Sequence, residues 1–480
     1  MTIIKNTSWN ALHTITITFG RFTISALLAR KLGPEFFGVF IFLQWIVDLV
    51  FMVYSVGLTG ISTRFFPELK INSKKFRSFY SWFFRLCITS TILTTFFSII
   101  FNISLKSQNH ISIIYITIYA SSVAINTLLS SYAQGVFNFK TIAKSSIIYS
   151  SLSIMMIILI YDKLNLNLSF FVLSLANVFS ILFFVKSLKI KLPAQPIDLS
   201  INESRKISEY GINVWITTLL NYLVWARGEI PVIKAYLNHY DLGIYTACLI
   251  LIGIANQCIG LATGALWPHI AKAWDHGELE KLSNFNDALT RLLILTSSLL
   301  SGAIICFGSS ALTLIFGKSY HFSGEVLALL AIGTLGLSCG CANAIAQIST
   351  NSKFGRNLSI IGGILLYALL ILLTPTQGLL GAALSRVIVL IATGIITIIT
   401  TTYIFKKHHA QSKKMSVYYY ISSVLSCCVL AGAILATTNI TTIGKTLYFL
   451  PYVFSIFLFY FFTSKDGLLS DIKVILDKNI

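Results

Sequence analysis

Residues 29–40 read ARKLGPEFFGVF. A long apolar run stops at Arg30 and Lys31, turns through Gly33, Pro34 and Glu35, and becomes apolar again at once. Residues 235–245, AYLNHYDLGIY, repeat that turn about 205 positions later: Leu237, Gly243 and Tyr245 stand where Leu32, Gly38 and Phe40 stood. A polar turn between two apolar helices, written twice, predicts a chain of two equivalent halves.

Composition sets the class. The chain has 480 residues, 55% of them hydrophobic and 11% charged. A soluble domain carries roughly a quarter charged residues, so a polytopic membrane protein is expected. A crossing takes about 20 apolar residues. By that measure the chain holds about 14 spans, near 10–30, 36–60, 80–103, 111–135, 143–161, 167–187, 210–236, 242–270, 289–315, 324–348, 357–374, 378–404, 417–437 and 446–464. The period-2 alternation of a membrane barrel is absent. The fold class is therefore an all-α polytopic membrane protein: two six-helix halves related by a parallel repeat, plus two C-terminal helices.

The longest polar stretch, KSLKIKLPAQPIDLSINESRKISE at 186–209, divides the halves. The expected organisation is a six-helix bundle over 1–190, a linker over 191–209, a second bundle over 210–405, and two extra helices with a tail over 406–480. Alternate loops are rich in Lys and Arg, among them RFFPELKINSKKFR and KKHHAQSKK. This asymmetry puts both termini in the cytoplasm. The repeated turns then face outward, and no cleavable signal is expected in MTIIKNTSWN.

A net charge of +19 would point to nucleic acid in a soluble protein. Here the cations serve as topology signals and as contacts to membrane lipids, and no nucleic-acid partner is expected. The eight cysteines lie in apolar segments without CxxC spacing and are read as packing residues. Histidines are scattered with no HExxH, so neither a metal nor a cofactor is expected.

Charges inside the spans need reasons, since one at mid-membrane costs at least a few kcal/mol. Arg21 precedes Gly33 by 12 residues, about 18 Å of helix, which is close to mid-membrane. Asn10, Thr14, Thr18 and Ser25 share its face. The second half repeats the feature: Arg227 precedes Gly243 by nearly the same distance as Arg21 precedes Gly38. Asn213, Thr217, Asn221 and Trp225 form its stripe, and Pro231 should kink that helix. Asp48, with Gln44, Ser55 and Thr59 on its face, falls near the depth of Arg21, so an Arg21–Asp48 pair is expected. Arg85 and Arg291 reach inward or snorkel to the interface. Arg386 lies within span twelve, and Lys234 just beyond Pro231. Asp48 and Glu229 are essentially the only acids in the spans. The cavity is thus net cationic and suits an anionic substrate, because the guanidinium fork matches phosphate.

The ordered motifs resemble a known family. The two turns, then ALWPHIAKAWDHGELEKL, LIFGKSYHFSGEVLALLA and GLLGAALS, are similar to polysaccharide flippases of the MOP superfamily, especially Wzx-type O-antigen and repeat-unit transporters. The likeness covers nearly the whole chain. It implies that the two halves are six-helix bundles around a central cavity, with alternating access and a lipid-linked oligosaccharide substrate on undecaprenyl pyrophosphate. That substrate is moved from the cytoplasmic to the periplasmic leaflet of the bacterial inner membrane. It further implies that Arg21, Arg227, Arg85, Arg291, Arg386 and Lys234 bind substrate. Asp48 and Glu229 would serve gating or coupling to Na⁺ or H⁺, and a polysaccharide polymerase would be a partner. Where the family often has Asp in the seventh helix, Glu229 stands here, with a longer reach. Other readings are a peptidoglycan lipid II flippase, a multidrug cation antiporter of the same superfamily, and a membrane-embedded enzyme. The scarcity of buried carboxylates disfavours the antiporter. The short outward loops disfavour an enzyme.

Overall fold

The computed structural model describes residues 2–69, 74–105, 113–190, 201–264, 267–350, 353–408, 415–436, 442–464 and 467–476. Every regular element among them is helical. Hydrocarbon offers no partner to a backbone N–H or C=O, and a helix satisfies both within itself. The many hydroxyls in the spans are handled in the same way. Thr91, Thr95, Thr117, Thr393 and Thr397 each donate to the carbonyl four residues earlier, at 2.7–2.8 Å.

The chain forms two compact units, Met1–Ile230 and Pro231–Ile480. The first begins with α1 (Thr2–Ser55), which breaks at Gly33 with φ 73° and ψ 170°. Glycine takes this conformation without steric cost, and Pro34 starts the next helical stretch. After α1 come α2 (Leu58–Phe65), α3 (Lys74–Leu105), α4 (Ile113–Gly135), α5 (Phe139–Leu159), α6 (Leu166–Leu188) and α7 (Ile201–Asn221). A π-helical turn at Tyr222–Ala226 follows, and then α8 (Glu229–Tyr236) spans the boundary between units.

The second unit continues through α9 (His239–Gly264), α10 (Trp267–Asp275), α11 (Leu279–Phe316), α12 (Gly324–Ile332) and α13 (Gly340–Ser349). It ends with α14 (Lys353–Lys407), α15 (Met415–Ala436), α16 (Thr442–Thr463) and α17 (Gly467–Leu476). Like α1, α14 is two helices joined at a glycine, here Gly378 with φ 61°.

Ten described stretches are long and apolar enough to cross a membrane. Two of them, Ser8–Ser55 and Lys353–Lys407, contain the glycine breaks and have room for two crossings each. The expected seventh and eighth spans fall on α7–α8 and α9. Of the linker expected at 191–209, residues 191–200 lie outside the described residues. α7 packs on α1 and α2, and the contacts group it with the first unit. The indole N–H of Trp215 donates to the Met52 carbonyl at 2.9 Å. A Cβ on Gly57, at φ 72°, would collide with the Gly211 carbonyl, so glycine permits this approach.

Two devices hold the first unit together. In the interior, Asn126 donates to Asn177 Oδ1 at 2.7 Å, Ser180 donates to Asn126 Oδ1 at 3.0 Å, and Ser145 shares a hydrogen bond with Ser180. This joins α4, α5 and α6 by interhelical polar contacts, which add to van der Waals packing in lipid. Elsewhere α1 meets α5 where a Cβ on Gly20 would strike Ser150. Gly20→Val should therefore destabilise the protein by about 1–3 kcal/mol. Adding Ser150→Gly should recover most of that loss, as read by thermal unfolding in detergent.

Candidate functional site

The first unit gathers charge around the break after α7. Proline at 231 has no N–H, and its ring collides with the carbonyl four residues back, which belongs to residue 227. Helical geometry accordingly fails at Arg227, with φ −147° and ψ 31°. The Arg227 N–H donates to the Tyr222 carbonyl at 3.0 Å, a π-type bond. This break carries Arg227 to Asp48 of α1, with Nη1 to Oδ2 at 3.9 Å.

That spacing is an ion pair without a hydrogen bond. The two side chains are 34% and 27% exposed. Arg227 Nη1 has no hydrogen-bond partner among the described residues, and neither does the buried Tyr222 hydroxyl. Arg21 is exposed on α1, and its charge also acts at Asp48. The expected Arg21–Asp48 pair is thus corrected: among the described residues the ion-pair partner of Asp48 is Arg227. The π turn brings Arg227 to the carboxylate, and Arg21 acts from farther away.

Polar groups surround these charges. Gln44 Nε2 donates to the Tyr119 hydroxyl at 3.1 Å. His13 Nδ1 and Ser146 Oγ share a hydrogen bond at 2.5 Å. Tyr119 and Tyr149 lie within electrostatic reach of both Arg21 and Asp48. The stripes Asn10–Ser25 and Asn213–Asn221 contain no fully buried residue. Polar faces of this kind need water or protein as their neighbour. The cluster therefore offers two cations, one shared carboxylate and several neutral hydroxyls, with unused hydrogen-bonding capacity on one cation. It is suited to a polar anionic ligand.

Arg85 is half-buried on α3, and Glu229 is fully buried at the start of α8. Lys234 and Arg386 belong to the second unit, where Lys234 acts electrostatically on His239. Arg291 departs most from expectation. It neither snorkels nor stands open to a ligand, but is buried in a bidentate pair with Asp471 of α17. Reading the sequence passed over Asp471 because it lies past the last apolar run. It also passed over Tyr119, Tyr149, Tyr222 and His13, because single tyrosines or a histidine in an apolar helix carry no charge pattern.

A family model described as "Polysaccharide biosynthesis protein" matches residues 3–274. The chain belongs to the polysaccharide biosynthesis protein family. This family member is 24% identical over 400 residues to the capsular polysaccharide biosynthesis protein CapF of Staphylococcus aureus, covering 80% of this chain and 95% of that one. Its fold resembles that of the lipid II flippase MurJ in an inward-closed conformation. The TM-score is 0.69 at 13% identity, over 96% of this chain and 99% of that one. It also resembles an inward-facing multidrug resistance MATE family transporter of the MOP superfamily. There the TM-score is 0.66 at 13% identity, over 82% and 95% of the two chains. The chain is thus a multi-pass membrane protein whose fold is like that of MurJ and of the MATE transporter.

The geometry makes the Asp48–Arg227 attraction weak and breakable. A double-mutant cycle with Asp48→Asn and Arg227→Gln, read by thermal unfolding, should give a coupling of about 1 kcal/mol or less, as for part-exposed pairs. A coupling several times larger would mean a static structural bridge.

Proposed function

We propose that the protein is a flippase that carries an oligosaccharide linked to undecaprenyl pyrophosphate across the bacterial inner membrane, from the cytoplasmic to the periplasmic leaflet. It works by alternating access and serves surface polysaccharide synthesis, with both termini in the cytoplasm. The observation that carries this reading is the arrangement of Arg227 and Arg21 about Asp48. Asp48 keeps the site from holding two unopposed cations when empty. A pyrophosphate, with more charge and more acceptor oxygens than a carboxylate, offers the arginines a stronger partner. Exchange of Asp48 for substrate at Arg227 would act beside the break in helix seven, where the backbone already departs from regular helix. The family match and the CapF likeness support polysaccharide synthesis over peptidoglycan as the pathway. Asp48 and Glu229 are the places to seek a coupling ion.

Deleting the gene in a strain without a redundant flippase should abolish surface glycan and leave lipid-linked units on the cytoplasmic leaflet, as seen by analysis of lipid intermediates. Intact surface glycan in that strain would reject the proposal.

Arg21→Ala and Arg227→Ala should each lower export at least tenfold at equal protein level, while Arg→Lys at either position keeps part of it. Asp48→Asn should also slow export, since the exchange loses one partner. Normal export in both alanine variants would rule out the site, and normal export in Asp48→Asn would rule out the exchange.

A further inference from the structure

The second unit contains a buried charge network that the transport reading does not use. Asp471 sits in the short terminal helix α17. Its Oδ1 accepts from Arg291 Nη2 at 2.6 Å, and its Oδ2 accepts from Arg291 Nε at 3.0 Å and from the Tyr460 hydroxyl at 2.6 Å. Arg291 and Asp471 side chains are 7% and 6% exposed, and Tyr460 is fully buried. Asp287, one turn earlier on α11, adds a second negative charge near the guanidinium. The Tyr460 ring meets the Tyr419 ring of α15 edge-on at 5.8 Å. Further along α17, Ile475 packs beside a core of Ile270, Leu282, Phe285 and Phe405 from α10, α11 and α14.

We propose that α17 is a latch, with Arg291–Asp471 as its bolt. It fastens one end of α11 to the last two spans and, through Ile475, to the α10–α14 core. Helices in lipid gain little from apolar contact alone, and a buried ion pair shared between them is costly to break by removing one partner. A guanidinium engaged side-on by a buried carboxylate, itself held by a tyrosine, keeps only a buried Nη1 unbonded and presents almost no exposed surface to a ligand. Arg227 differs on two counts: its carboxylate is 3.9 Å away and its side chain is one-third exposed, whereas the Nη1 of both arginines lacks a hydrogen-bond partner among the described residues. Arg291 thus acts in the architecture, and the terminal helix is part of the transporter's frame.

The test uses the full-length protein with Asp471→Asn, Arg291→Gln, Tyr460→Phe and the double variant Arg291→Met/Asp471→Leu. Three readouts apply: the thermal midpoint in detergent, amide exchange in α17, and surface-glycan export per molecule of membrane-inserted protein. Each charge variant should lower the midpoint by about 5–10 °C and expose α17 to exchange, because one buried charge loses its partner. Tyr460→Phe should give a smaller fall. The apolar double variant should regain most of the midpoint and export at the wild-type level per molecule. An unchanged midpoint and unchanged α17 exchange in both Asp471→Asn and Tyr460→Phe would overturn the latch. So would a double variant that is stable but exports at least tenfold less per molecule, since Arg291 would then act on substrate. The midpoint and exchange do not depend on what is transported, so the latch and the flippase reading can fail separately.

Discussion

An arginine inside an apolar helical bundle requires a counter-charge, and this chain has few to give. With 11% charged residues and a net charge of +19, most cations must lie in loops or at the membrane interface. Among the described residues, two ion pairs between distant helices, one buried and one part-exposed, are therefore informative. They differ in geometry. Arg291–Asp471 is close, bidentate and buried. Arg227–Asp48 is long and part-exposed, and the Arg227 Nη1 at its contact has no hydrogen-bond partner among the described residues. The first is costly to break and holds helices. The second is long enough to be weak, as part-exposed pairs are.

The break in helix seven connects backbone chemistry to that second pair. Proline at 231 forbids a regular turn over residue 227, and the chain resolves the conflict with a π turn. An unbroken helix would carry Arg227 to a different height and azimuth. The packing of α7 against α1 and α2 then fixes which unit receives the arginine. Glycines at 57 and 211 let the backbones approach, and Trp215 ties α7 to Met52. Small residues, a proline and a single indole hydrogen bond thus place a charge.

Much of the fold was legible. Apolar runs of span length, basic loops in alternation and the turn written twice pointed to a two-part helical membrane protein, and Gly33 and Pro34 marked a real break. Pro231 identified the helix that would fail. Arg21, Asp48 and Arg227 stood out because charge is scarce in the spans. Their pairing was not legible. Helical rise gives depth, and Arg21 and Asp48 match in depth, but depth does not fix direction around the helix axis. The tyrosines near them are uncharged and blend into aromatic-rich spans.

By itself, the sequence determined that the chain lives in lipid, since its backbone can be satisfied there only by helices and its few buried charges must have partners. It also determined where helices must break, because glycine and proline act locally. Only the tertiary structure decided which acid answers which arginine. That choice depends on residues far apart in sequence: 48 with 227, and 291 with 471. It turns on a few ångströms of approach, which helix packing and a π turn set and no local pattern encodes.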